Sequence, residues 1–385
     1  MTDAGGLPTQ SACLEGLDAL ELVRVRLPMR RPLVSGHGAE SIRDVVLVRA
    51  LGADGVEGWG ECSALGAPTY TGEYTDGAWA VLRDHLVPAA LASRIDFLRG
   101  HPMASAAVEL ALTDRWLRSA HRSLLDACAV AAADRSGLAW TAVLGVQATV
   151  DELLAAAASA RGALADRLKL KIRPGWDLEP VAAVRAAFPD VVISVDANGG
   201  YRRDDRDVLV AVASALVGPP GAYVEQPLAA DDLKGHAELA AASPVPLALD
   251  ESITAAGDAV AAVSLGAARL VNVKPARLGG LKATLALAEV LAGLDASIRP
   301  GVFLGGMLET GVGRSAALTI GVAAGLGLRH TDLGPSAHYV EDDLTEPVGL
   351  AFDALAWPCV HPGIGLHPRP ERLAEVVVDR LLIRR

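Results

Sequence analysis

Five charged residues, Lys171, Asp196, Glu225, Asp250 and Lys274, stand at or near the ends of short apolar runs, at successive intervals of 25, 29, 25 and 24 positions. The runs are LKLKI (168–172), VVISVDAN (191–198), AYVEQP (222–227), PLALDES (246–252) and RLVNVKP (269–275). Strands buried on both faces of a parallel sheet read as continuous apolar segments and do not ordinarily carry such charges. A repeat of roughly 30 residues is the length of one β/α unit in an eightfold barrel. The charges therefore recur once per strand at equivalent C-terminal ends, the rim where barrel active sites lie. Strand-end ion pairs would account for any one of them, whereas five in register point to a common site.

Carboxylates converging on one partly dry mouth repel one another unless a cation neutralises them. An all-oxygen set without nearby His or Cys favours a hard ion, so Asp196, Glu225 and Asp250 are expected to hold Mg²⁺ or another divalent cation such as Mn²⁺. Lys169 and Lys171, two apart on one strand, share a face, and Lys274 comes from the far side. Neighbouring ammonium groups, a metal ion and burial should each lower a lysine's pKa from about 10.4 toward roughly 7–8, where it can act as a base. The chemistry suited to this set is removal of the proton next to a carboxylate, with the cation steadying the ene-diolate.

The elements around the set divide the chain in three. Over 1–137 the pattern is α+β, with 1–16 a loose tail. Val23, Val25 and Leu27 alternate with arginines, Val45–Val48 is continuously apolar, and helical patterns cover Gly77–Leu91 and Ala104–Leu117, so a small antiparallel sheet with helices is expected. Over 138–350 apolar runs alternate with helical stretches such as Leu178–Phe188 and Leu281–Leu291, the pattern of a parallel sheet or barrel. Over 351–385 the run RLAEVVVDRLL could return to pack on the first unit.

With 385 residues and 51% apolar residues but only 4% aromatic ones, the chain can bury a large core built from Ala, Val and Leu. A net charge of -11 argues against nucleic acid or an anionic membrane as partner. Cys13, Cys62, Cys128 and Cys359 lie far apart without a CxxC pair, which fits free thiols better than a zinc site or a disulfide framework. Ala316–Leu328 is too short to span a bilayer, which takes about 20 residues, and the N-terminus lacks a secretion signal, so a cytoplasmic protein is expected. GVFLGGMLETGVG has neither GxGxxG spacing nor a Walker lysine, which sets nucleotide binding aside.

The motifs KLKIRPGWD, SVDANGGY, VEQPL, LALDES, NVKPARLGG and GGMLETGVGR resemble the enolase superfamily, muconate-lactonizing subgroup, and within it the o-succinylbenzoate synthase and N-acylamino acid racemase branch. Similarity extends from LPMRRPLVSGHG and GWGECSALGAPTYTGEYTDG to HPGIGL near the end. The resemblance implies a (β/α)7β TIM-like barrel with an α+β capping domain and the metal on Asp196, Glu225 and Asp250. It also implies Lys171 as base, Lys169 as its assistant and Lys274 on the opposite face of the substrate. Asn198, Gly306, Met307 and Arg277 match positions expected at the substrate; the alternatives are support of the metal ligands or a turn for Asn198, and for Arg277 electrostatic adjustment of Lys274 or a surface or inter-strand ion pair. Ser35–Gly38 and Pro68–Tyr74 match loops that close over it, and Glu309 is read as structural.

Departures from the family pattern fall at the 121–145 link, at Val143 where a small polar residue is usual, at Phe303–Leu304, and around Asp332 in the eighth-strand segment. They bear on substrate specificity. The implied activity is a lyase, o-succinylbenzoate synthase in menaquinone biosynthesis. The alternative is racemisation of N-acylamino (N-succinylamino) acids, in which both lysines act. Dipeptide epimerisation is disfavoured because no DxD stands in the eighth-strand region, and a non-catalytic scaffold because no lysine or ligand is missing. The expected partner is a small carboxylate, and the expected assembly a homo-oligomer.

Overall fold

The computed structural model describes residues 6–94, 98–348 and 355–385. The expected boundary at 350/351 and the first residues of the tail lie outside them.

Strands β1 (Leu17–Ser35), β2 (Gly38–Gly52) and β3 (Glu57–Cys62) form an antiparallel meander. Because side chains alternate across a strand, Leu20, Leu22, Val46 and Val48 pack on one face against Ala104, Ala107, Val108 and Ala111 of the helix Pro102–Ser119. Val23, Val25, Val45 and Leu47 pack on the other, against Val312 and Leu344. The first unit is thus a sheet covered on both sides, and its second cover is the barrel. GWGEC supplies glycines where the helix backbone presses on β3: a Cβ on Gly60 would lie 2.1 Å from the Ala107 carbonyl oxygen. The other expected helix runs from Thr75 to Leu91, with a π-helical turn at Leu82–Leu86.

Seven parallel strands follow: β4 (Thr141–Leu144), β5 (Arg167–Lys171), β6 (Val192–Asp196), β7 (Val224–Glu225), β8 (Leu247–Leu249), β9 (Leu270–Val273) and β10 (Gly301–Leu304). Their spatial order is their chain order. Segment 329–332 closes the ring. Arg329 N donates to Val302 O at 3.0 Å and Asp332 N to Leu304 O at 2.7 Å on one side, while Thr331 N donates to Ala139 O at 2.9 Å on the other. The ring is thus closed by isolated parallel bridges of Thr331 to Trp140 and to Leu304, at the place of the eighth strand in (β/α)7β. Leu168, Leu170, Ile193 and Val195 point outward onto Leu153, Val181, Val184 and Leu209 of the surrounding helices.

Val377–Arg384 (β11) returns to the first sheet and pairs antiparallel with β1, giving the order β11-β1-β2-β3. Contacts across the junction are specific. Glu61 of β3 accepts from Thr310 N (3.1 Å) and Gly313 N (3.0 Å) at the start of the helix Gly311–Ala323. Glu109 accepts from Leu281 N (2.8 Å) and Lys282 N (3.2 Å). Arg43 donates to Leu308 O at 2.9 Å. Buried Asp114 accepts from Ile364 N at 2.7 Å and pairs with His367 at 2.9 Å.

Candidate active site

Residues two apart on a barrel strand face the same way, so the rim and the layer beneath it can be followed around the interior. Lys171 is the register partner of Asp196, and Lys169 of Ser194. Asp196 is in turn the partner of Glu225. Beneath the rim, Tyr223, Phe303 and His330 stack, the Phe303 and His330 centroids 4.8 Å apart. This flat aromatic floor lies under Lys169, whose Nζ is 5.5 Å from the Phe303 ring centroid.

Lys169 Nζ donates to Glu225 Oε2 at 2.7 Å and to Asp332 Oδ2 at 2.5 Å. Lys171 Nζ donates to Asp196 Oδ2 at 2.6 Å and to Asn198 Oδ1 at 2.9 Å. Lys274 Nζ donates to Asp250 Oδ2 at 2.8 Å and to the Tyr70 hydroxyl at 2.9 Å. Arg277 bonds the other Asp250 oxygen and the same hydroxyl, and reaches Asn272 O at 3.2 Å. Asn272 Nδ2 donates to Glu225 Oε1 at 2.7 Å.

Local backbone conformation serves these placements. Asn198 (φ 45°), Gln226 (φ 37°) and Leu308 (φ 57°) all take left-handed conformations just past strand ends, a strain that clusters at functional sites. Gln226, next to Glu225, accepts from Asp250 N (2.9 Å) and Ser252 N (3.2 Å) through its Oε1, tying two neighbouring strand ends together.

Burial and neighbouring charge pull these groups apart. Burial, with Asp196, Asp250 and Asp332 adding to it against Lys169, pushes the Glu225 carboxyl up to about 8. For Asp196, burial opposes ionisation but Lys171 and Lys169 outweigh it, and the pKa falls below the usual carboxylate value. Asp250 behaves likewise under Arg277 and Lys274. The expected lowering of lysine pKa is reversed at Lys169: burial disfavours its charge, yet Asp332 and Glu225 hold it well above the ordinary value. It is a fixed cation in this arrangement.

Among the described residues no three ligating side chains already converge on one point; Asp196, Glu225 and Asp250 are each turned to a cation of their own. The donor set nevertheless fits a divalent ion. All three are buried carboxylates on consecutive strands that disfavour one another's ionisation. Glu251 Oε2, Asn272 Oδ1 and Asp332 Oδ1 are further buried acceptors with no donor among the described residues. A mouth this rich in acceptors is short of positive charge. Binding an ion would require the carboxylates to turn from their lysines and Arg277.

Above the rim lies a cleft of about 760 Å³, partly open to solvent, between barrel and cap. Lys169, Lys171, Asp196, Asn198, Lys274, Gly306 and Met307 line it from the barrel. Ser35, His37 and Tyr70 line it from the two loops expected to close over a substrate. Arg277 is 1% exposed and, among the described residues, is not one of the cleft's walls. Its expected place at the substrate gives way to one behind Asp250 and Tyr70. Val143, the departure on β4, does face the cleft.

Several side chains were not singled out by the sequence. Tyr70 was named only as part of a loop, and Asp332 only as a departure. Asn272 sits two before Lys274, a spacing that marks the same face and could have identified it. Glu251 and His37, 2.9 Å apart, meet only in the folded chain.

The family model described as "Enolase C-terminal domain-like" matches residues 150–372. An N-succinylamino acid racemase of an Amycolatopsis species is 38% identical over 95% of this chain and 99% of its own. An o-succinylbenzoate synthase of Geobacillus stearothermophilus is 34% identical over 89% of this chain and 91% of its own. Among solved structures, an enolase-superfamily member from Listeria innocua matches with a TM-score of 0.83 at 28% identity, covering 96% of this chain and 99% of the other. Members of the superfamily are enzymes that generally use a divalent metal. With the parallel barrel, its charged rim and the cap over it, these similarities establish that the chain belongs to the enolase superfamily.

Proposed function

We propose that the protein removes the α-proton of a small carboxylate with two lysines on opposite faces, racemising N-succinylamino acids, and that dehydration to o-succinylbenzoate uses the same residues. One observation carries the reading: Lys171 on β5 and Lys274 beyond β9, strands four apart and so across the ring from each other, line one cleft. The relatives favour neither activity alone, since racemases at 36–38% identity and synthases at 28–34% cover most of the chain.

Mg²⁺, held by Asp196, Glu225 and Asp250, would supply charge that stabilises the carboxylate oxygens as the ene-diolate forms. In racemisation one neutral lysine takes the α-hydrogen as a proton, and the opposing ammonium returns a proton to the other face of the same carbon. In dehydration Lys171 takes the α-proton and passes it to the departing β-hydroxyl, which leaves as water, and Lys274 remains a cation beside the developing charge. Lys169, pinned between Glu225 and Asp332, lends positive charge to the Lys171 side. We further propose a cytoplasmic homo-oligomer, testable by light scattering and fractionation; among the described residues no helix is long and apolar enough to cross a membrane.

The deciding experiment pairs polarimetry of N-succinylamino acids with absorbance of o-succinylbenzoate formation, using protein stripped by chelator and reloaded with Mg²⁺ or Mn²⁺. Metal-dependent turnover in either assay is expected, with racemisation the faster. Turnover unchanged by stripping would reject the metal, and silence in both assays after reloading would reject the substrate class.

A further inference from the structure

Two cap side chains reach the rim: Tyr70 contacts Lys274, and His37 contacts Glu251, from which Asn198 leads on to Lys171. The Tyr70 hydroxyl accepts from Lys274 Nζ at 2.9 Å, is also bonded by Arg277, and donates to Asp250 Oδ2 at 3.1 Å. Its ring centroid lies 4.8 Å from the same Nζ. His37 belongs to the other loop. Its Nε2 bonds Glu251 Oε1 at 2.9 Å, and that oxygen also accepts from Asn198 Nδ2 at 3.0 Å. Asn198 Oδ1 in turn accepts from Lys171 Nζ at 2.9 Å. A side-chain amide offers donors at one end and acceptors at the other, so Glu251 on the nitrogen side fixes the oxygen toward Lys171. The loops touch each other through the edge-to-face contact of His37 and Tyr70, with centroids 5.0 Å apart.

We propose that the two cap loops are separate positioning devices: Tyr70 orients Lys274 directly, and His37 orients Lys171 through Glu251 and Asn198. The inference rests on the two-lysine reading above. Its consequence is that each loop governs proton transfer on one face of the substrate. The Cα–H bond on a given face breaks as the lysine on that face gains the proton. Exchange of lysine protons with D₂O then returns deuterium to that carbon, so exchange before inversion reports each lysine separately.

The test is α-proton exchange in D₂O, followed by proton NMR for each enantiomer of an N-succinylamino acid, in metal-loaded wild type, Tyr70→Phe, His37→Phe and His37→Gln. Tyr70→Phe should slow exchange of one enantiomer by about 10- to 100-fold, the range of a hydrogen bond to a charged group, and leave the other within about threefold. His37→Phe should slow the opposite enantiomer, by about three- to tenfold because it acts through two intermediaries, and His37→Gln, which keeps a donor, should restore it. Loss of metal affinity through Asp250, or general loss of structure, would depress both enantiomers together. Equal losses for both enantiomers, or no loss in either variant, would overturn the inference while leaving the two-lysine reading in place. A wild type that exchanges neither enantiomer would instead remove that reading.

Discussion

Two sets of buried carboxylates in this protein, one at the barrel rim and one at helix starts, have different partners. At the barrel rim Asp196, Glu225 and Asp250 are met by lysine, arginine and one another. At and near the junction of cap and barrel, Glu61 and Glu73 are met by backbone N–H groups at helix starts: Thr310 and Gly313 for Glu61, Met103 and Ala104, each at 2.8 Å, for Glu73. Burial pushes both junction carboxyls up to about 7, while hydrogen bonds to these donors pull the other way. Helix starts offer unpaired donors and a positive dipole end, and Glu61 and Glu73 each accept from two of those donors. The rim has charges left to exchange. Burial alone therefore does not mark function; crowding of like charges with movable cations does.

Removing a rim lysine should cost chemistry and not folding. Lys171→Ala is expected to lower racemisation and dehydration by about 10²- to 10⁴-fold with an unchanged melting curve; a variant retaining full turnover would refute its role as base. Lys274→Arg keeps a cation but no usable base, so racemisation should fall about 100-fold and dehydration less than about tenfold, a split read by running both assays on one preparation.

At the junction the effect should appear in stability. Glu61 has its folded pKa raised from 4.5 to about 7, so between those values the native state binds more protons than the unfolded one, and stability falls as pH rises through that window. Relative to Glu61→Gln, which does not titrate, wild type should lose on the order of 1–3 kcal/mol from pH 4.5 to 7. Urea melts across that range check the sign, and parallel curves for wild type and Glu61→Gln would show that burial does not raise the Glu61 carboxyl. An effect of similar size concerns the layer between rim and junction. A Cβ on Gly305 would lie 2.0 Å from Asn272 Oδ1, so Gly305→Ala should destabilise by about 1–3 kcal/mol and loosen the hydrogen bond to Glu225. Calorimetry measures the first, and reduced affinity for Mn²⁺ the second.

Much of this architecture is legible in the residues. Lys171, Asp196, Glu225, Asp250 and Lys274 marked their strands and a common rim because parallel strands bury both faces, where charges in register are unusual. β3 went unread, since GWGEC has too little β-branched character to signal a strand; its glycines answer to a helix distant in sequence. β7, only Val224–Glu225 long, is shorter than its run suggests because Gln226 leaves the extended region directly after it.

The sequence by itself determined the strands that carry the charged residues, which of their residues face inward, and that acids and lysines share one rim, because period-two alternation and the β/α repeat are local properties of the chain. Tertiary structure alone decided the pairings: Lys169 with Asp332 across the barrel closure, Arg277 behind Asp250 and not in the cleft, and His37 and Tyr70 divided between the two lysines. Those contacts join residues as much as 214 positions apart. No local pattern encodes them, since they depend on how the ring closes and where the cap comes to rest.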